Sequence, residues 1–197
     1  MSALAGGWCS GGTPALCGDS VVAAFITEPL VVDPVAHAVE IARFQAKVVE
    51  GPGEYCAIWT GAIGEDGYGR FSITREGRER TVKPHRYAVA YRLGVPIEFG
   101  EVIEHIVCDN PICCRAHPEP AVGHGWPSTQ ADNLRRMASR GCGGGRRWWV
   151  RRWSGLSRPQ CAERSRALAA AVRDGWDEER VRGVLMTIDP AQIPLFD

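Results

Sequence analysis

Lysine is nearly missing from this chain. Of 23 basic side chains only Lys47 and Lys83 are lysines, and the others are arginines. A GC-rich coding sequence would produce that bias, and so would a demand for phosphate binding, which the planar guanidinium fork serves well. Also missing is any run of about eighteen apolar residues free of charge and proline, so no membrane-spanning helix is expected. The longest candidate, residues 21–36, is interrupted by Glu28, Pro29, Asp33 and Pro34. No basic residue precedes an apolar core in the opening Met-Ser-Ala-Leu-Ala-Gly-Gly-Trp, the order an export signal needs, so a cytoplasmic location is expected. There is no internal repeat. Net charge is zero, with 23 acidic residues against the 23 basic ones. Apolar residues make up 45% of the chain, enough for a packed core and too many for a wholly disordered protein.

The zero net charge conceals an asymmetry. Between Arg135 and Arg182 there are thirteen arginines and five acidic residues, and the remainder of the chain is acidic by the same margin. Arginines alternate with tryptophans in Arg146-Arg147-Trp148-Trp149-Val150-Arg151-Arg152-Trp153. Such a stretch suits a nucleic-acid backbone, with Arg147, Arg151 and Arg152 as candidate DNA contacts. The 197 residues hold eight cysteines, many for a chain without an export signal. In that setting metal ligation is favoured over disulfides.

The pattern of punctuation and periodicity predicts an α+β protein in four segments. Residues 1–53 form a leader and a helix over 34–50, capped by Asp33 with Pro34 in its first turn. Residues 54–141 carry a strand at 55–60, a turn at Asp66-Gly67, and a hairpin of 70–74 with 79–82 closed by Glu76-Gly77. A short helix then runs from Pro84 to a Gly94 cap, a strand covers 101–106, and a helix covers 128–140 with Ser128 as its cap. Residues 142–187 begin with a glycine hinge and continue as the basic Trp/Arg-rich extension with helices at 158–174 and 177–186. Leu168, Val172, Val181 and Leu185 are expected to form the shared core of those two helices. Residues 188–197 are a tail.

The stretch that carries chemistry is Glu104-His105-Ile106-Val107-Cys108-Asp109-Asn110-Pro111-Ile112-Cys113-Cys114-Arg115-Ala116-His117. Two thiols five apart and a histidine four further on can wrap one ion, and zinc takes Cys and His in closed tetrahedral sites. The fourth ligand must come from elsewhere, and Cys56 opens the strand block. Cys56, Cys108, Cys113 and His117 would then form a Cys₃His site pinning a loop that has little apolar content of its own. Buried cysteines that serve as small hydrophobes are the competing explanation.

Several motifs in one order resemble a known family. They are Cys56-x-x-Trp59-Thr-Gly61, Gly67-Tyr-Gly69, His85-Arg86, His105 with Cys108-x-Asn110-Pro-x-Cys113 and His117, and Asp132-Asn133. Residues 54–141 resemble the HNH endonucleases of the His-Me finger (ββα-metal) superfamily, and the cysteine pattern is similar to its His-Cys box branch. The resemblance implies a zinc-stapled ββα-metal core. It implies that His105 activates water as general base and that Asn133 binds a catalytic Mg²⁺. It implies that Cys56, Cys108, Cys113 and His117 hold a structural Zn²⁺, with Cys113 rather than Cys114 as the matching thiol. Arg70 and Arg86 are candidate contacts to the scissile phosphate. Asn110 is a candidate for orienting His105, and His85 reads as a structural residue at a helix start.

Relative to the family, one extra residue lies between His105 and Cys108, one is missing between Cys113 and His117, Glu104 replaces an aspartate, and residues 121–127 look inserted. An added residue in a strand turns a side chain to the other face unless a bulge absorbs it.

The function expected is a metal-dependent DNA endonuclease of phage or mobile-element type. The alternative is a catalytically inactive zinc-containing DNA-binding module. A homodimer would let two sites cut two strands. The tail Gln192-Ile193-Pro194-Leu195-Phe196 is similar to peptides that dock on the bacterial sliding clamp, which makes the clamp a candidate partner.

Overall fold

The computed structural model describes residues 28–105, 107–119, 123–141, 153 and 156–186, with backbone alone for 136–141. In chain order the elements are α1 (Ala38–Gln45), β1 (Val48–Glu50), β2 (Ala57–Trp59), β3 (Phe71–Arg75), β4 (Arg78–Val82), α2 (Pro84–Leu93), β5 (Val102–His105), β6 (Gly125–Ser128), α3 (Gln130–Gly141), α4 (Arg158–Ala171) and α5 (Glu178–Met186). The class is mixed α+β. No helix among the described residues is long and apolar enough to cross a membrane.

The strands form three separate antiparallel ribbons, β1–β2, β3–β4 and β5–β6. The β3–β4 hairpin pairs Phe71 with Val82 and Arg75 with Arg78. Its turn is Glu76-Gly77, with φ of 51° and 73°. Two consecutive left-handed residues make the two-residue turn whose twist matches the flanking strands. Alternation then places Phe71 and Ile73 in the core, with Ser72 and Thr74 facing out.

The helix expected over 34–50 is shorter. Asp33 does cap: its Oδ1 accepts the N–H groups of Val35 and Ala36 at 2.8 and 2.7 Å. Residues 34–37 form a turn, the α-helix proper ends at Gln45, and Val48–Glu50 is a strand paired with Ala57–Trp59. The β-branched pair Val48-Val49 prefers an extended backbone once a partner strand is available. From α1, Glu40 reaches the hairpin tip and pairs with Arg75 at 2.7 Å, and Arg75 also donates to the Val31 carbonyl.

Four rings fill the centre. Phe44 from α1 lies 5.7 Å from Trp59, 5.6 Å from Phe71 and 4.7 Å from Tyr87 of α2. Such offset and edge-on pairs each contribute about 0.5–1.5 kcal/mol beyond their burial. Helix α2 begins at Pro84 and stops at Gly94, whose φ of 64° forms the left-handed cap read from the sequence. It packs against both β5 and β6.

Residues 121–127 are not a simple insertion. Gly125–Ser128 is the second strand of a ribbon, pairing Val102 with Ser128 and His105 with Gly125. Pro127 is tolerated because a two-stranded ribbon leaves each strand one edge that needs no donor. A single residue, Thr129, then links β6 to α3. Thr129, not Ser128, is the cap: its Oγ1 accepts the Asp132 N–H at 3.1 Å and donates to the Asp132 carboxylate at 2.7 Å. Helix α3 packs against β5.

Helices α4 and α5 lie against each other, and α4 also touches β2. Leu168, Val172, Val181 and Leu185 are buried as expected, within the same apolar core as Trp59 and Phe71. Ser165 donates to the Gly67 carbonyl at 2.8 Å, and Tyr55 meets Trp176 with ring centres 5.2 Å apart.

Candidate metal centre

Each side chain at the centre sits at a strand end or bridge. Cys56 precedes β2. Cys108 lies just beyond β5. Cys113 makes an isolated bridge to Ile58, supported by Trp59 N–H to Ile112 O at 2.9 Å and Cys114 N–H to Ala57 O at 2.7 Å. Asn110 shapes this loop by accepting the Ile112 N–H on its Oδ1 at 3.1 Å, and its side chain also hydrogen-bonds Cys56. His124 is the residue immediately before β6. Its backbone N–H and that of Gly125 both donate to the Arg115 carbonyl at 3.0 Å.

Cys56, Cys108, Cys113 and His124 converge, with one potential ligand atom from each lying within 4.8 Å of every other. His124 Nδ1 stands 3.5 Å from Cys56 Sγ and 3.4 Å from Cys113 Sγ. For a tetrahedral zinc with ordinary bond lengths, adjacent S and N ligands lie about 3.6 Å apart. All four residues are buried, and His124 is only 1% exposed. The donor set, its spacing and its burial therefore fit a closed Cys₃His site that could hold a metal such as zinc.

The fourth ligand differs from the expected one. His117 is exposed, and its Nδ1 accepts the Glu119 N–H at 3.0 Å. The Gly123 N–H donates to the Glu119 carbonyl at 3.0 Å, and the backbone of Gly123 lies against that of His117. This return of the chain brings His124, seven residues later, to the place assigned to His117. The clue was composition: His117 lies among Arg115, Pro118, Glu119 and Pro120, whereas His124 lies in Ala-Val-Gly-His-Gly-Trp. Cys114 is buried but outside the cluster, with its thiol directed at the Ile112 carbonyl, so the choice of Cys113 over Cys114 agrees with the geometry.

The electrostatics of the pocket are those a bound cation would favour. Burial and then the hydrogen bonds to Cys113 and Cys56 push the Cys108 thiol well above its ordinary value. Cys56 is raised as well: the Cys108 bond favours its thiolate, but the Cys113 bond and burial prevail. At Cys113 burial acts upward, and the bonds from Cys108, Cys56, His105 and His124 outweigh it and hold the group well below the ordinary thiol value. The Arg115 N–H also points at Cys113 Sγ, at 3.5 Å. Without a cation, burial and mutual repulsion oppose ionising all three sulfurs, and a divalent ion would favour their ionisation.

His105 borders this centre. It closes β5, and its Nδ1 lies 3.8 Å from Cys108 Sγ. His85, from the first turn of α2, packs edge-on against it with ring centres 5.3 Å apart, and Tyr68 of the Gly67-Tyr-Gly69 motif lies 5.6 Å from His85. Lys83 covers the Tyr68 ring at 4.1 Å. His85 is buried, and its Nδ1 has no hydrogen-bond partner among the described residues. Burial, followed by the neighbouring His105, Lys83 and Arg86, holds its ring well below the ordinary 6.5. Asn133 sits half-buried in the first turn of α3, its N–H donating to the Thr129 carbonyl at 3.0 Å.

Arg70 and Arg86 have structural partners. Arg70 pairs with Asp66 at 2.8 Å and donates to the Tyr68 and Gly69 carbonyls. Arg86 donates to the carbonyls of Glu98 and Glu101. Arg147, Arg151, Arg152 and the segment from Gln192 to Phe196 lie outside the described residues. Compared with protein-family models, with curated proteins and with solved structures, the chain matches none.

Proposed function

We propose that the protein is a metal-dependent DNA endonuclease whose Cys₃His centre is structural. One observation carries the reading. The β5–β6 ribbon runs through a single residue into α3, with His105 at the end of the first strand and Asn133 in the first turn of the helix. Helix and strand pack together, and three of the four buried Cys₃His residues, Cys108, Cys113 and His124, lie between the two strands of the ribbon, with Cys56 reaching them from the start of β2. A histidine on a strand, metal ligands after it and an asparagine on the following helix keep the order of the HNH resemblance, with His124 in place of His117, which supports the reading.

Phosphodiester hydrolysis needs a base for water and a counter-charge for the phosphate. His105 is the base in this reading, because a histidine can take a proton near neutral pH. Its ring is held from one side by His85 and from another by Cys108, which limits its rotation. Asn133 offers a neutral amide oxygen of the kind Mg²⁺ accepts while keeping most of its waters. When bound, Mg²⁺ would stabilise the charge that develops on the phosphate and the leaving oxygen.

The test is cleavage of supercoiled plasmid and of a diverse genomic DNA, with and without Mg²⁺. The expected result is Mg²⁺-dependent cutting that falls by about 10²–10⁴-fold in His105→Ala, the range a general base contributes. Salt-sensitive binding with both DNAs left uncut would overturn the nuclease and favour the binding module.

A further inference from the structure

The contact between His105 and Cys108 links the two halves of the site. We propose that Cys108, besides holding the metal, is a positioning residue for His105: its metal-bound thiolate accepts the Nδ1–H proton and thereby leaves Nε2 as the lone-pair nitrogen. That His105 acts on water rests on the endonuclease reading; the tautomer itself does not.

The geometry begins with the short separation in sequence between His105 and Cys108, whose Sγ lies 3.8 Å from Nδ1. Strand pairing fixes the backbone on the other side, since His105 is in register with Gly125, the neighbour of the ligand His124. His85 closes the ring edge. The second consideration is what the sulfurs require. Thiolates bound to a divalent ion keep lone pairs that seek N–H donors, and such outer contacts tune and orient a metal site. Cys113 has the Arg115 N–H at 3.5 Å, and the His105 ring reaches it as well. At Cys108 the Nδ1–H of His105 fills that role.

A neutral imidazole carries one proton, and whichever nitrogen donates makes the other the acceptor. Donation from Nδ1 to sulfur therefore directs the basic nitrogen away from the cluster. The Cys₃His group would then do more than staple a loop, since it would set the tautomer of the residue beside it.

The tautomer is read directly by long-range ¹⁵N–¹H correlation spectra of the zinc-loaded, histidine-labelled full chain, recorded without DNA or Mg²⁺. Among the five histidines, His105 is assigned by the resonance lost in His105→Ala. The expected pattern is a protonated Nδ1 and a bare Nε2. A protonated Nε2 with bare Nδ1 would overturn the proposal, and so would direct coupling of a His105 nitrogen to ¹¹³Cd in the cadmium-loaded protein, which would make His105 a ligand.

A second measurement does not depend on histidine resonances. In the cobalt-loaded protein, His105→Ala should move the thiolate-to-cobalt charge-transfer band to longer wavelength, because a sulfur deprived of its donor gives up charge more easily. An unmoved band with metal retained would contradict the N–H···S contact. Neither readout involves cleavage. The expected tautomer in a protein that cuts nothing would leave this inference standing and sink the nuclease, and the reverse pattern would do the opposite.

Discussion

At the scale of single residues, the metal centre turns on which histidine closes it. His117 fits the local spacing of Cys108 and Cys113, while His124 fits the packed structure. Removing one thiolate or the imidazole nitrogen leaves a tetrahedral site open. His124→Ala and Cys113→Ala should therefore lose bound zinc, whereas His117→Ala should retain about one ion per chain, as elemental analysis of dialysed protein would report. Zinc retained in His124→Ala and lost in His117→Ala would reverse the assignment. His85 supplies a second prediction. Its buried ring stays neutral in the folded protein, while in the unfolded chain it takes a proton below about 6.5. The unfolded state thus binds more protons between that value and the lower folded one. The stability associated with His85 is complete above 6.5 and declines as the pH falls through this window. Thermal melts from pH 7.5 to 5.5 should show a steeper loss for the wild type than for His85→Phe. Equal slopes would mean that His85 binds protons alike in the folded and unfolded chains. Cys108 and Cys113 were legible as metal ligands because their spacing is a local signal, and Cys56 was reached only through the need for a further ligand and the family resemblance. The fourth ligand was not legible, because its place depends on a strand whose Gly125 and Pro127 look like breakers.

At the scale of elements, the best-read parts were those whose ends carry their own chemistry. Pro84 and Gly94 bracket α2, and Glu76-Gly77 closes the β3–β4 hairpin, because special backbone angles demand special residues. The strand β1 escaped notice because Val48-Val49 continues a plausible helical stripe, and only pairing with β2 decides between the two. Gly67 shows how a turn can also serve as a docking point. Its φ is 81°, and a Cβ there would lie 3.0 Å from the backbone and side chain of Cys161 in α4. Gly67→Ala should therefore combine backbone strain with overpacking against a helix that cannot retreat. We expect a loss of roughly 2–4 kcal/mol in chemical unfolding. A loss under about 0.5 kcal/mol would mean that α4 docks loosely. Ser165, which donates to the Gly67 carbonyl, argues against that outcome.

At the scale of the whole molecule, a boundary after residue 141 separates segments that share one core. Leu168, Val172, Val181 and Leu185 belong to the same buried cluster as Phe44, Trp59 and Tyr87. Truncation after Gly141 should strip this cover from β2 and broaden or abolish the cooperative melt seen by circular dichroism. A truncated chain with an unchanged midpoint would establish residues 1–141 as self-sufficient.

The four ligands are drawn from distant parts of the chain, Cys56 and His124 being 68 residues apart. A bound ion is in that respect a cross-link closing a long loop, and the entropy of closure falls on the metal-free chain. During synthesis Cys56 emerges well before the residue that completes its set. Until then its thiol is exposed, oxidisable and open to the wrong partner. The supply of metal at that moment would then bear on how much of this protein a cell obtains.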